Sequence, residues 1–103
     1  MSTTKKYLNF ILEQLALTDG ITFRQMMGEY IIYHRGKIAA YICDNRLLVK
    51  PVSSAFKLMP DAVSEPPYEG AKNMLLVENV DDREFLKNLF EAMYEELPEP
   101  KKK

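Results

Sequence analysis

Two amphipathic helical patterns enclose a run of short strand-like segments, and this order constrains the fold more than any other feature of the chain. In the first pattern, apolar residues recur at i, i+3, i+4 and i+7, at Leu8, Ile11, Leu12 and Leu15. The second pattern covers 85–97 and follows Asp81 and Glu84, whose spacing is that of a capping box. These spacings predict two helices, each with one buried face.

The segments between the two patterns read as strands joined by tight turns. Apolar segments occur at 21–27, 30–33, 38–42 and 47–50. They are separated by Gly28, by 34–37 and by 44–46, where Gly, Asn and Asp favour the left-handed conformations of turns. We therefore expect an antiparallel meander, in which Gly36 supplies a positive φ at a bulge position.

The strand 38–42 is apolar on both faces, because strict alternation would place Ile38, Ala40 and Ile42 on one side and Ala39, Tyr41 and Cys43 on the other. Such a strand is central and covered on both sides by its own chain, or covered on one side by a second copy. A homodimer is therefore one expectation.

The remaining segments complete a prediction of fold class. A short helix is expected at 53–59, a loop at 61–73 and a last strand at 74–78. The order predicts an α+β, two-layer sandwich with an antiparallel sheet of about five strands and helices mainly on one face. With 103 residues, 47% of them hydrophobic, we expect one domain over 1–103, an ordered core over about 3–97 and a frayed tail at 98–103.

Targeting and redox features favour the cytoplasm. Cys43 is the single cysteine, so no disulfide forms within the chain. The first residues lack the unbroken apolar core of a signal peptide, and no apolar run reaches the roughly 20 residues that span a bilayer. We expect a cytoplasmic protein with no membrane association.

No constellation of residues predicts catalysis, and we expect no enzyme activity, metal or cofactor. His34 is the single histidine and is expected to be solvated at a hairpin tip. Cys43, a conceivable nucleophile, lies about 30 Å from His34 if both end one strand, far beyond hydrogen-bond reach. The four glycines form no phosphate-binding fingerprint.

Charge is spread unevenly although its net value is −1. Residues 21–50 carry five Lys or Arg against two acidic residues, whereas 81–100 carry seven acidic residues against two basic ones. Two interpretations stay open: the two regions are solvated faces of a sheet and a helix, or the asymmetry orients a partner or a second copy. In the second case Arg24 is the leading residue, because a guanidinium suits carboxylate or phosphate. Gly28 permits a bulge or a close backbone approach there.

Three stretches carry a family resemblance. Residues 24–33 read Arg-Gln-Met-Met-Gly-Glu-Tyr-Ile-Ile-Tyr, 36–39 read Gly-Lys-Ile-Ala, and 44–50 read Asp-Asn-Arg-Leu-Leu-Val-Lys. Together they resemble the N-terminal domain of TfoX/Sxy-family proteins over roughly residues 15–95. The resemblance implies an α+β two-layer sandwich. It also implies kinship with regulators of natural competence that help the cyclic-AMP receptor protein activate promoters for DNA uptake.

The resemblance covers one domain, and the second, all-helical domain of full-length regulators has no counterpart in these 103 residues. It supplies no catalytic residues, and five residues of this chain match its motif as structural or interaction positions. With the basic residues of the later stretches, the candidate positions are Arg24, Met26, Gly28, Tyr30, Tyr33, Lys37, Arg46 and Lys50.

Three functions therefore stay open. The first is a regulatory or adaptor domain that contacts another protein, with the transcription machinery implied by the resemblance. The second is direct nucleic-acid binding by the basic region 24–50, with tyrosines available to stack on bases. The acidic net charge disfavours this second function. The third is a small-ligand binder or enzyme with a site between the sheet and loop 61–73.

Overall fold

The helical pattern at each end of the chain forms a helix in the computed structural model, which describes residues 3–99. The elements in chain order are α1 (Lys5–Gln14), β1 (Ile21–Met26), β2 (Glu29–His34), β3 (Lys37–Cys43), β4 (Arg46–Val49), α2 (Ser53–Leu58), β5 (Ser64–Glu65), β6 (Met74–Leu76) and α3 (Arg83–Tyr94). Of the tail expected at 98–103, residues 98 and 99 are described, and 100–103 lie outside the described residues.

Side-chain caps start both long helices. The Thr4 hydroxyl accepts a hydrogen bond from the Tyr7 N–H at 3.1 Å, and the Asp82 carboxylate accepts one from the Phe85 N–H at 3.0 Å. Each cap satisfies one amide that has no partner within its helix. The capping box expected from Asp81 is therefore wrong by one residue, because Asp82 is the residue with extended backbone before α3.

Within residues 3–99 the sheet has six antiparallel strands in the order β1-β2-β3-β4-β6-β5. The predicted α+β fold with an antiparallel sheet is confirmed. The strand beyond the expected five is β5, which pairs with β6 inside the segment expected to be a loop. Its two residues precede Pro66-Pro67, so no extended apolar alternation marks it.

Three consecutive two-residue turns build the meander β1–β4. Both residues of each turn have positive φ, at Met27-Gly28, Arg35-Gly36 and Asp44-Asn45. This is the type I′ geometry, whose twist matches that of the flanking strands. Gly36 thus lies in a two-residue turn, and not at the bulge position expected from the sequence.

One face of the sheet, called the inner face, packs against all three helices. Its core combines buried residues of α1, α2 and α3 with residues of β2–β4, and its largest fully buried side chains include Ile11, Ile32, Ile42, Leu89 and Phe90. Burial of apolar surface here is the main source of stability. The expectation that the helices lie mainly on one face is confirmed.

A bulge changes which residues of β3 face the core. The pairing shifts between Ile32↔Ala40 and Tyr33↔Ile38, which leaves Ala39 as an extra residue on β3. Ala39 therefore joins Ala40 and Ile42 in the inner core, and Ile38 moves to the opposite face. The strict alternation expected for this strand is wrong at these two positions.

Candidate interaction surface

The face opposite the helices, called the outer face, is only partly covered. Strand pairing places one row across it, formed by Arg24, Ile31, Tyr41, Leu48 and Leu76. Beyond β5 the chain folds back over β3 and β4, where the Tyr68 ring lies 6.4 Å from the Tyr41 ring. A second, smaller core forms there around Cys43, Leu48 and Met74.

Over β1–β3 the outer face carries an apolar groove of about 370 Å³. Apart from Glu29, its lining is apolar, aromatic or sulfur-containing, namely Met26, Met27, Tyr30, Ile31, Tyr41, Cys43 and Tyr68. Met27 is 95% exposed and has a φ of 53°, a conformation that non-glycine residues rarely adopt. A long apolar side chain is thus held in solvent at the end of the groove, which is typical of a binding surface.

Arg24 lies beside this groove. It is directly opposite Ile31, which lines the groove, and two residues from Met26 on the same face of β1. The Arg24 residue is exposed, and its guanidinium forms no ion pair with any residue of 3–99. The groove therefore has an unneutralised cation at its β1 side.

Glu29 borders the groove at the same end as Met27, and one of its carboxylate oxygens is already occupied. Its Oε1 accepts hydrogen bonds from the Thr3 N–H at 3.1 Å, the Thr3 hydroxyl at 2.6 Å and the Asp44 N–H at 3.1 Å. The Thr3 N–H lies 3.2 Å from the Gly28 carbonyl as well. Glu29 thus ties the start of the chain to two turns, and its charge is compensated by donors of the chain itself.

Arg46 serves the structure at the same end of the outer face. Its Nε donates to the Cys43 carbonyl at 3.2 Å, one Nη pairs with Glu65, and the other donates to the Pro67 carbonyl at 3.3 Å. These bonds fasten β5 and the following segment over the sheet. Lys50 lies farther along the same face, with its Nζ 5.7 Å from the centre of the Tyr41 ring.

Lys37 and Tyr33 occupy the opposite end of the sheet from the groove. Lys37 is buried, and its Nζ donates a hydrogen bond to the Tyr94 carbonyl at 3.2 Å. The same Nζ lies 4.3 Å from the centre of the Tyr94 ring. Tyr33 is half-buried on the outer face and pairs with Ile38. Of the remaining candidate positions, Tyr30 is buried in the inner core and Gly28 forms a turn with a φ of 84°.

The expectation of a solvated His34 is wrong. The ring is 0% exposed and packs against Phe90 and Tyr94 of α3, with centroids 6.1 and 5.2 Å away. Neither ring nitrogen has a hydrogen-bond partner among residues 3–99. Burial, and then the Arg35 charge, lower the pKa of His34 below 6.5, against the weaker opposing effects of Glu91, the Phe90 backbone and Asp19.

His34 and Cys43 do not form a catalytic pair. Cys43 lies six positions after Lys37, the partner of His34, which corresponds to about 20 Å along β3 rather than the 30 Å expected from the sequence. The two side chains also belong to cores on opposite faces of the sheet. Burial, and then the Glu29 carboxylate, raise the pKa of the Cys43 thiol to about 11, so the thiolate form is disfavoured.

The basic residues of 24–50 do not gather into one patch. Arg35 pairs with Glu91 at 3.5 Å at one end of the sheet, and Lys37 is buried nearby. Arg46 is bonded at the other end, which leaves Arg24 and Lys50 on the outer face, on β1 and after β4. A continuous track for a phosphate backbone requires more cations than these two positions supply.

A smaller cleft of about 230 Å³ lies on the far side of the Tyr41–Tyr68 pair. Its lining includes both tyrosines together with Lys50, Lys72 and Asn73. It lies between the sheet and the segment 61–73, where the third hypothesis places a ligand. Two ammonium groups that line one cleft suit a small anion.

Metal and membrane features can be assessed only for the described part of the chain. Within 3–99, no group of three or more His, Cys, Asp or Glu side chains is arranged to hold a metal ion. Over the same residues, no helix has the length and apolar character needed to cross a bilayer.

Comparison with known proteins identifies a relative without an assigned role. No protein-family profile matches the chain, and no solved structure matches it. The chain is 28% identical over 102 residues to the "Uncharacterized 12.7 kDa protein in trpE 5'region" of Spirochaeta aurantia, covering 98% of this chain and 89% of that protein. The similarity extends over nearly the full length of both chains, and the name of the relative assigns no activity.

Six of the eight residues that line the groove were not among the candidate positions from the sequence: Met27, Glu29, Ile31, Tyr41, Cys43 and Tyr68. Met27 had a local signal, because a long apolar residue before Gly28 in a short turn has no core to enter. Tyr68 had none, because only the folding back of the segment after β5 brings its ring to Tyr41.

Proposed function

We propose that this protein is a non-enzymatic regulatory or adaptor domain that binds another protein through the outer face of β1–β3. One observation carries the proposal: an apolar groove of about 370 Å³ ends at Met27, which is 95% exposed. Methionine and tyrosine are enriched at protein interfaces, since they bury large areas with few polar groups left unpaired.

The surroundings of the groove suit binding better than chemistry. One oxygen of Glu29 already accepts three hydrogen bonds from the chain, and the Cys43 thiol is held protonated at neutral pH by its raised pKa. Of the two arginines at this end of the outer face, Arg46 pairs with Glu65, whereas Arg24 forms no ion pair with any carboxylate of residues 3–99. The groove thus offers contact area and one charge, which are the means of recognition rather than of catalysis.

The wider role in this proposal is transcription regulation in the cytoplasm, and it rests on the resemblance to the N-terminal domain of TfoX/Sxy-family proteins. Among the matching residues, Arg24 and Met26 border or line the groove, whereas Gly28 and Tyr30 shape it from the turn and the core. Four of the five matching residues therefore lie at or beside the surface proposed here for a partner, whereas Tyr33 lies at the opposite end of the sheet.

A second candidate is binding of a small anionic ligand in the cleft of about 230 Å³ beside Lys50 and Lys72. The aromatic pair Tyr41–Tyr68 would form one wall. Direct nucleic-acid binding is the less supported alternative, because the structure disperses the basic residues between the two ends of the sheet.

Affinity capture of the tagged chain from its own cells, with and without nuclease, tests the adaptor role when two variants are compared. Met27→Asp places a charge on the groove and suits the left-handed backbone better than methionine does, so folding is preserved. Phe56→Asp makes the same kind of change at an exposed apolar residue of α2, 51% exposed, remote from the groove.

We expect a nuclease-resistant protein partner that Met27→Asp loses and Phe56→Asp retains. A partner lost equally from both variants, or no partner, would contradict the proposed surface. Material lost on nuclease treatment would favour nucleic acid, and titration with DNA at two salt concentrations would then show an affinity that falls as salt rises.

A further inference from the structure

The two edges of the sheet differ in whether another strand can add to them. The β5 edge has two residues and is followed at once by Pro66-Pro67, which removes amide donors and blocks pairing. The β1 edge has six residues, contains no proline, and pairs with β2 in unbroken register from Ile21↔His34 to Met26↔Glu29. Among residues 3–99, it is an edge strand with no partner on its free side.

The free backbone groups of β1 can be assigned from the pairing. The Arg35 N–H donates to the Gly20 carbonyl at 2.8 Å, and antiparallel pairs alternate between bonded and non-bonded. The even-numbered residues of β1 therefore bond to β2. The backbone N–H and C=O groups of Ile21, Phe23 and Gln25 point away from the sheet, where residues 3–99 provide no strand to receive them.

Side chains beside this edge select what can pair with it. On the outer face, Arg24 and Met26 alternate along β1, and the apolar groove begins at Met26. The strand carries one charge, the Arg24 guanidinium, and no acidic residue. A second copy paired antiparallel to β1 would bring two Arg24 side chains close together without a carboxylate, which disfavours self-pairing.

We propose that β1 binds an extended segment of the partner protein, which adds to the sheet as a strand. The bound segment places an acidic side chain beside Arg24 and apolar side chains over the groove at Met26 and Met27. The inference rests on the proposed function, because it specifies how the partner occupies that surface. Backbone pairing supplies affinity, and the charge with the alternating apolar positions supplies selectivity.

Peptides selected from a random display library on the folded full chain provide a defined probe. We expect selected sequences to carry Asp or Glu flanked at alternate positions by apolar residues. Selection of no peptide, of basic peptides, or of peptides with apolar residues at helical spacing would overturn the proposal.

A matched pair of variants at Gln25 isolates the backbone contribution. Gln25→Pro removes an amide donor that points away from β2, and Gln25→Ala removes the same side chain but keeps the donor. We expect Gln25→Pro to weaken peptide binding roughly tenfold and Gln25→Ala to change it less than about twofold. Equal thermal midpoints establish that both variants fold, and equal binding by both would overturn strand addition.

Charge exchange at Arg24 gives an independent readout. Arg24→Glu is expected to weaken binding of the acidic peptides roughly tenfold, and replacing their acidic residue with lysine is expected to restore it. A dimer in sedimentation that Gln25→Pro dissolves would instead assign β1 to a second copy and overturn the proposal. A captured partner that is lost on Met27→Asp but indifferent to Gln25→Pro and Arg24→Glu would keep the proposed function and exclude strand addition.

Discussion

The inner and outer faces of the sheet are both apolar, yet all three helices pack against the inner face and only part of the outer face is covered. On the inner face, α1, α2 and α3 bury a continuous core that includes Ile32, Ile42 and Phe90. On the outer face, the segment after β5 folds over β4 and part of β3, and an open groove remains over β1–β3. The difference indicates that inner-face residues carry stability, whereas outer-face residues near β1 are available for binding.

The largest effect expected from this comparison is a loss of stability at the inner face. Phe90→Ala should lower the free energy of unfolding by about 3–5 kcal/mol, because a fully buried ring is replaced by a cavity. Met26→Ala, at an exposed groove residue, should change it by less than about 0.5 kcal/mol. Denaturant unfolding measures both, and similar losses in the two variants would mean that the groove is part of the folding core.

An intermediate effect is expected where the outer face meets the start of the chain. Glu29→Ala removes the acceptor of three hydrogen bonds, which leaves the Asp44 N–H without a partner and Thr3 with the Gly28 and Ile42 carbonyls alone. We expect a loss of about 2 kcal/mol in unfolding free energy. Glu29→Gln, which keeps a side-chain oxygen, should lose less. A Glu29→Ala variant as stable as the parent would show that these bonds contribute nothing net.

A smaller effect, confined to acid, is expected at His34 on the inner face. Its pKa in the folded chain lies below 6.5, so the unfolded chain binds more protons as the pH falls below that value. The free energy of unfolding should therefore be unaffected by protonation of His34 above pH 6.5 and should fall as the pH drops below that value. The decline should end once the pH is below the pKa of His34 in the folded chain. Glu91 and Asp19 oppose this shift, and Arg35 reinforces it.

Unfolding measured between neutral pH and pH 5 tests this prediction. In His34→Leu, an apolar side chain of similar size replaces the ring, and the part of the pH dependence due to His34 should disappear. A His34→Leu variant with the same pH dependence as the parent would assign acid sensitivity to other groups.

Much of the architecture follows from local patterns of the sequence. The helical stripes at 8–15 and 85–97 specify α1 and α3, because an amphipathic stripe is stable only with its apolar side buried. The turns at Gly28, Gly36 and Asn45 follow from residue types that tolerate positive φ. These signals lie within a few residues of each other, which is why the fold class could be predicted.

The candidate surface could be predicted only in part. The basic region 24–50 drew attention to Arg24 and Met26, which do border or line the groove. Lys37 and Arg46 have the same charge in the sequence, but burial against Tyr94 and bonding to Glu65 remove them from any shared patch. The distribution of charged residues along the sequence does not reveal which of them are already bonded to other residues of the same chain.

The sequence by itself determined the α+β class, the meander and the single-sided packing of the helices. Only the tertiary structure decided that β1 is an open edge, that Ile38 leaves the core through a bulge, and that α3 covers His34. Each of these depends on pairing or packing between residues distant in sequence. Periodicity reports which side chains need burial, whereas long-range contacts decide which of them receive it.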